Sequence, residues 1–144
     1  MRIRAIGKCS GWFNTLFRGM TMKRLSQLSR SIKGSVAIVT GAASGMGRAT
    51  AHLFADEGAR LAIMDLNAEG LESVAEDIRS VGAEVLPLTV DLSSREAVEE
   101  AVAGVAAHYG AIDILVNNAG LVIPTTIDAD NFAESWDMSL AVMT

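Results

Sequence analysis

The strongest chemical signal in the chain is a glycine-rich stretch with the sequence Thr40-Gly41-Ala42-Ala43-Ser44-Gly45-Met46-Gly47. It follows an apolar run at 36–39 and leads into a helical pattern, so it predicts a strand, a tight turn and a helix in that order. Glycines let the backbone approach a pyrophosphate, and the N–H groups at the start of the following helix attract an anion. The stretch therefore predicts a nucleotide-binding site.

An acidic residue follows at the distance that such a site requires. Asp65 ends the next apolar run, 61–64, and lies 18 positions after Gly47. A dinucleotide-binding unit places at this point the carboxylate that binds the hydroxyls of the adenosine ribose. A P-loop is excluded, because that motif needs a lysine after its final glycine and no lysine follows Lys33.

Two more motifs follow in order, Thr89-Val90-Asp91-Leu92 after a third apolar run and Asn117-Asn118-Ala119-Gly120 after a fourth. Together with the glycine-rich stretch and Asp65, they resemble the short-chain dehydrogenase/reductase family over residues 33–144. The alternation of strands and helices predicts an α/β fold with a Rossmann-type, doubly wound parallel sheet. We expect about four strands in the order 3-2-1-4, which is a truncated form of that sheet.

The resemblance also implies which residues bind the cofactor. The glycine-rich stretch would hold the pyrophosphate, Asp65 the ribose, Asp91 and Leu92 the adenine, and residues 118–120 the nicotinamide half. Asn117 is expected to tie neighbouring strands. The complete implied set is Gly41, Ser44, Gly45, Met46, Gly47, Asp65, Asp91, Leu92, Asn118, Ala119 and Gly120.

Asp65 also predicts which nicotinamide cofactor is preferred. Its carboxylate would face the 2′-phosphate of NADP, and no basic residue in the glycine turn would neutralise that phosphate. Like charges in a partly desolvated cleft repel strongly, so we expect NAD in preference to NADP. Taken singly, a strand-end aspartate such as Asp65 or Asp91 is more often a helix cap or a turn former.

By the resemblance, the reaction is hydride transfer between a nicotinamide and an alcohol or ketone substrate, with a tyrosine as general acid/base and a lysine four residues later. The only tyrosine, Tyr109, has Asp113 at that distance, so no catalytic residue is assigned. Met143 stands seven residues after Trp136, where the family usually has an asparagine. We interpret the chain as the N-terminal, cofactor-binding part of a longer enzyme, a fragment that is inactive alone.

Two other functions stay open on the residues alone. A non-catalytic nucleotide-binding or redox-sensing protein would keep the glycine turn and lose the chemistry. An S-adenosylmethionine-dependent methyltransferase also combines a glycine turn with an acidic residue after its second strand, although residues 117–120 argue against it.

Charge divides the chain, since residues 1–33 carry eight basic and no acidic side chains while the whole chain has a net charge of −5. We interpret 1–33 as a basic, disordered extension and 34–144 as an incomplete dinucleotide-binding domain. An organelle transit peptide and a membrane-surface segment are alternatives for the extension, and the cytoplasm is the expected location. The acidic body offers no basic face for nucleic acid, and no apolar run approaches the roughly 18 residues that cross a bilayer.

The single cysteine, Cys9, allows no intramolecular disulfide, and we assign no metal ligands. The complete enzyme is expected to form a homo-oligomer.

Helical spacing predicts the side chains that pack on the sheet. For the first helix they are Met46, Ala49, Leu53 and Phe54, and for the second Leu71, Val74, Ala75, Ile78 and Val81. Gly82 and Gly110 are predicted to end the second and third helices, and residues 93–96 to form a capping box. The last helix is predicted to begin near Asp128 or Asp130.

Overall fold

Strands and helices alternate along residues 31–143, the part of the chain that the structure, a computed structural model, describes. The strands are β1 (Val36–Thr40), β2 (Arg60–Asp65), β3 (Val85–Thr89) and β4 (Ile114–Val116). The helices are α1 (Gly45–Asp56), α2 (Ala68–Ser80), α3 (Arg95–Tyr109) and α4 (Phe132–Met143). The prediction of a disordered extension over 1–33 falls on residues outside this range, apart from its last three.

The four strands form one parallel sheet in the order β3-β2-β1-β4, which confirms the predicted topology. Strand β1 lies between β2 and β4, and its Ala37 pairs with Leu61 on β2 and with Ile114 on β4. The chain proceeds from β1 to one side of the sheet and returns to the other side for β4. In such sheets a crevice opens at the carboxyl ends of the strands where the direction reverses.

Alternate residues of the central strands face two separate hydrophobic cores, as expected for a sheet that is covered on both sides. One core joins Ala37, Val39, Leu61 and Ile63 to buried residues of α1 and α2. The other joins Val36, Ile38, Ala62 and Met64 to α3. The fold is therefore the doubly wound α/β arrangement that the sequence predicts.

Tyr109 anchors the last turn of α3 to the sheet. Its ring is buried, and its hydroxyl donates a hydrogen bond of 2.8 Å to the backbone oxygen of Leu61. Burial raises the pKa of Tyr109 to about 12; the Glu84 carboxylate also raises this pKa, and Arg60 lowers it. The hydroxyl is therefore a structural donor within the second core.

Most of the predicted inner face of α1 is wrong, although Phe54 is half-buried and packs against the first core. Met46 and Leu53 are 79% and 58% exposed, and α1 buries Gly47, Ala51 and Ala55 instead. These small residues recur every four positions, so they form one stripe along the helix. Such a stripe lets the helix lie close to the strands. The larger apolar side chains are left at its margins.

The face of α2 is confirmed for its first four predicted residues, which are Leu71, Val74, Ala75 and Ile78. Val81, the fifth, is exposed because it lies at the C-cap, where the helix has ended. Gly82 and Gly110 have φ of 80° and 81°, which confirms that the helices end at left-handed glycines.

Two predicted helix starts are wrong. The cap of α3 is Ser94, whose hydroxyl accepts from the backbone N–H of Ala97, so the helix is capped one residue later than predicted and has an alanine where a capping box needs a glutamate. The last helix starts at Phe132 and not near 128–130. There the backbone instead forms turns, in which the N–H of Ala129 binds the oxygen of Thr126.

Within the described residues, no helix is both long and apolar enough to span a bilayer.

Candidate functional site

A cleft of about 460 Å³ opens at the carboxyl ends of the strands. Ten of the eleven residues predicted to bind the cofactor line it: Gly41, Ser44, Gly45, Met46, Asp65, Asp91, Leu92, Asn118, Ala119 and Gly120. They come from four separate loops, so the fold brings together the motifs that are scattered along the sequence. The eleventh residue, Gly47, is buried and is not part of the lining.

The glycines of the turn allow a close approach of two backbones. A Cβ added to Gly41, which has φ of +65°, would lie 2.8 Å from the Cα of Ala119. A Cβ added to Gly47 would collide with the backbone oxygen of Gly41 and with the Asn118 side chain. Gly47 therefore acts beneath the cleft, by letting α1 pack directly on the turn and on the loop after β4.

The N-terminus of α1 differs from the N-termini of α2 and α3. The Ser44 side chain forms no cap, and the first turn contains no acidic residue. By contrast, Asn67 and Ser94 cap α2 and α3, and each of those helices has a glutamate in its first turn. The N–H groups and the positive end of α1 are thus not neutralised by side chains, as a site for a bound anion requires.

The Asp65 carboxylate is held in place by two backbone donors. The N–H of Ala43 binds Oδ2 at 3.0 Å, and the N–H of Asn67 binds Oδ1 at 2.9 Å. Among the ion pairs of the described residues, none involves Asp65. Its charge is therefore oriented in the cleft and has no basic partner there.

Asp91 is both a turn former and a residue of the cleft. Its Oδ1 accepts from the hydroxyl of Ser93 at 2.7 Å and from the backbone N–H of Ser93 at 2.9 Å. The bond from the Ser93 hydroxyl, followed by that from its N–H, lowers the pKa of Asp91 below its usual value. The turn thus keeps an ionised carboxylate beside Leu92, which is also part of the lining.

Thr40 and Asn118 join the turn after β1 to the loop after β4. The buried hydroxyl of Thr40 accepts from the N–H groups of Asn118 and Ala119 at 3.0 and 3.1 Å and donates to the oxygen of Val116 at 3.3 Å. The Asn118 amide donates to the oxygens of Thr40 and Gly41 at 3.0 and 3.2 Å.

We expected Asn117 to link neighbouring strands, but the side chain that does so is that of Asn118. The side chain of Asn117 is exposed, whereas that of Asn118 turns in towards the glycine turn. The importance of Thr40 was also missed. Its one sequence signal is a hydroxyl at the end of a strand that is buried throughout, since a buried hydroxyl must find partners.

The cleft also has apolar lining that the sequence did not reveal, namely Leu66, Val90, Leu121 and Val142. Leu66 and Val90 directly follow strands β2 and β3, and apolar residues at strand ends look like core in a sequence. Tyr109 is not part of the lining, since its hydroxyl is bonded to the backbone of β2 within the second core. Met143 ends α4, but its side chain lies outside the described residues, so the prediction for that position is not addressed.

We next compared the sequence with those of known protein families. The sequence profile of the family described as short chain dehydrogenase matches residues 35–144. The chain belongs to the short-chain dehydrogenase family. The match covers the sheet, the four helices and every residue of the cleft. Membership in this family also argues against the methyltransferase alternative.

Three similar proteins illustrate the range of this family. Estradiol 17-beta-dehydrogenase 11 of Rattus norvegicus is 42% identical over 70% of this chain and 34% of its own length. D-threitol dehydrogenase of Mycolicibacterium smegmatis is 41% identical over 77% of this chain and 42% of its own length. A crystal structure of a short chain dehydrogenase/reductase from Burkholderia phymatum in complex with NAD has a TM-score of 0.73 and 29% identity, over 79% of this chain and 40% of that one.

The short-chain dehydrogenase chain described here thus spans less than half the length of these relatives.

Proposed function

We propose that this chain forms the NAD-binding part of an NAD-dependent short-chain oxidoreductase that transfers hydride between the nicotinamide and a small alcohol or ketone. One observation carries the proposal: the Asp65 carboxylate, the uncapped start of α1 and the loop at 118–120 border the same cleft. The fixed carboxylate can accept hydrogen bonds from ribose hydroxyls, and the start of the helix can bind the pyrophosphate. The loop lies where the nicotinamide half of a dinucleotide would follow.

Each part of the cleft has a proposed role. The backbone around Ser44, Gly45 and Met46 would bind the pyrophosphate, and Asp65 would accept hydrogen bonds from the ribose. Asp91 and Leu92 would contact the adenine, and residues 118–120 would line the nicotinamide half. When bound, the nicotinamide supplies the hydride chemistry, while these residues bind and orient it.

Two features support a preference for NAD over NADP. The two N–H groups that bind Asp65 hinder its carboxylate from turning away from a 2′-phosphate. The basic side chain that directly follows the glycine turn, Arg48, is bound to Asp77 at 2.8 Å. A phosphate beside Asp65 would therefore face an oriented negative charge with no free cation from the glycine turn.

Isothermal titration calorimetry on the 144-residue chain tests the proposal with NAD⁺, NADP⁺ and S-adenosylmethionine as separate ligands. We expect NAD⁺ to bind at least about tenfold more tightly than NADP⁺, which corresponds to about 1.4 kcal/mol. Asp65→Asn keeps an oxygen acceptor but removes the charge, and it should reduce that ratio to about threefold or less.

Asp56→Asn is the matched control, because it removes the same charge from an exposed position at the end of α1, outside the cleft. It should leave the ratio unchanged. Equal affinities for NAD⁺ and NADP⁺ in the unmodified chain would defeat the proposed preference, and binding of S-adenosylmethionine alone would favour the methyltransferase.

A further inference from the structure

We propose that Gly70 is a positioning residue for the Asp65 carboxylate, and that it thereby influences the choice between NAD and NADP. The inference rests on the function proposed above, but it concerns a residue outside the cleft. Gly70 is the third residue of α2, and it is not part of the cleft lining.

The space where a side chain of Gly70 would lie is filled by two neighbours. A Cβ built on Gly70 would lie 3.0 Å from the Nδ2 of Asn67 and 3.1 Å from the Cβ of Ala43. Ala43 and Asn67 are also the two residues whose backbone N–H groups hold the Asp65 carboxylate. The absent side chain of Gly70 thus leaves room for both residues in the positions from which they bind Asp65.

Neither the backbone nor helix stability explains a glycine at this position. Gly70 is not among the residues of the described chain with positive φ, so its conformation is open to other amino acids. Inside a helix, glycine is less favourable than alanine. The close contact with Ala43 and Asn67 is therefore the physical reason that the structure offers for Gly70.

Addition of a methyl group at 70 would move these neighbours by a few tenths of an ångström. The Asn67 contact is with the end of its side chain, which can turn aside, so the shift falls on Ala43 and lengthens the bond from its N–H to Asp65. A carboxylate held by one donor can rotate towards solvent, so the ribose loses an oriented acceptor and a 2′-phosphate meets less repulsion. NAD⁺ affinity then falls, whereas NADP⁺ affinity changes little or rises.

The test compares Gly70→Ala with Gly104→Ala in the 144-residue chain. Gly104 is an exposed helical glycine of α3 with no atom within 4 Å of its built Cβ, so it receives the same methyl group in open space. Calorimetric titration with NAD⁺ and NADP⁺ should show that Gly70→Ala lowers the NAD⁺ preference by about five- to tenfold, which corresponds to about 1.0 to 1.4 kcal/mol and lies within the range for the loss of one hydrogen bond. Gly104→Ala should leave it unchanged.

Amide hydrogen exchange of Ala43 is a second readout that needs no nucleotide. Loss of its bond to Asp65 should speed exchange of this amide at least about threefold in Gly70→Ala, and Gly104→Ala should have no effect. A residue that only fills space in the helix would not change the exchange of this one amide.

A compensating change provides a rescue. Ala43→Gly removes the methyl group at the 3.1 Å contact, so the double variant Gly70→Ala/Ala43→Gly should recover at least half of the lost preference relative to Ala43→Gly alone. If Gly70→Ala does not fold, a folded double variant with a preserved preference supports the inference, and an unfolded or unselective one overturns it.

Two results would overturn the inference directly: equal losses of NAD⁺ and NADP⁺ affinity in Gly70→Ala, or unchanged exchange of the Ala43 amide. If the unmodified chain binds no NAD⁺, the proposed function fails, and the exchange of Ala43 still decides whether Gly70 positions Asp65.

Discussion

Replacement of Thr40 by valine tests the link between the glycine turn and the loop after β4. Valine has nearly the same shape as threonine, so the strand and its packing are kept while the hydroxyl is lost. That hydroxyl forms three hydrogen bonds and is buried, since Thr40 is only 6% exposed. The substitution therefore isolates the polar contribution of one atom.

The expected cost follows from the groups left without a partner. The backbone N–H groups of Asn118 and Ala119 both lose their acceptor, and both residues are partly buried. An unsatisfied buried group costs about 1 to 3 kcal/mol, and partial access to water favours the lower end. We expect Thr40→Val to lower the free energy of unfolding by about 2 kcal/mol.

Urea unfolding at 25 °C measures this change. With a slope of about 1.5 kcal/mol/M, the midpoint should fall by about 1.3 M without a change of slope. Thr40→Ser keeps the hydroxyl and loses one methyl group, so it should cost only about 1 kcal/mol. Thr50→Val is the matched control, because the Thr50 hydroxyl binds only the oxygen of Met46 one helical turn away.

Thr50→Val should change the free energy of unfolding by less than about 0.5 kcal/mol. A similarly small effect for Thr40→Val would refute the reasoning, because it would show that water or a local shift satisfies both N–H groups.

Three further predictions concern stability. Because the pKa of Tyr109 is raised to about 12 from 10, the fold favours the neutral phenol, and this contribution of at most about 2.7 kcal/mol is present below pH 10 and lost between pH 10 and 12. Urea unfolding of Tyr109→Phe should therefore show a smaller loss of stability over that range than the unmodified chain. Gly47→Ala should lower the free energy of unfolding by about 1 to 3 kcal/mol in the same assay, because the added methyl group has no space. Gly104→Ala, which adds a methyl group in open space, is the control. If Gly47→Ala lowers the free energy of unfolding no more than this control does, the close packing of the turn is contradicted. Deletion of residues 1–30 should lower the melting temperature by less than about 5 °C, since these residues show no sustained hydrophobic period and their seven basic side chains repel one another. A larger drop in calorimetry would show that they are docked.

Local signals in the sequence predicted most of the framework. Short apolar runs that end in Thr40 and Asp65, with a glycine turn between them, are sufficient to predict the βαβ unit and the end of the sheet where ligands bind. The stripe of α2 was predictable because its large aliphatic residues recur at helical spacing and have polar neighbours. The glycines at 82 and 110 were predictable because a left-handed helix end strongly favours that residue.

The same kind of signal failed for α1, since its buried stripe of Gly47, Ala51 and Ala55 is less hydrophobic than its exposed Met46 and Leu53. The distance between a helix and a sheet depends on how both backbones pack, and a sequence does not state that distance. Where it is short, only small residues fit.

Neighbouring residues of the same type raised a second difficulty. The sequence did not distinguish Asn117 from Asn118, or Ser93 from Ser94, because each pair has the same chemistry at adjacent positions. The direction in which the backbone leaves β4 or enters α3 decides which side chain turns inward.

The sequence by itself determined the family, the order of the elements and the motifs of the cleft, because these depend on residue types at short spacing along the chain. Only the tertiary structure decided that Thr40 joins two loops, that Ala43 and Asn67 hold Asp65, and that Gly70 lies against both. These contacts join different loops of the chain, or depend on how the loop after β2 turns into α2. The physical reason is that hydrogen bonds and steric contacts depend on distances of a few ångströms in space, which exist only after the sheet and helices have packed.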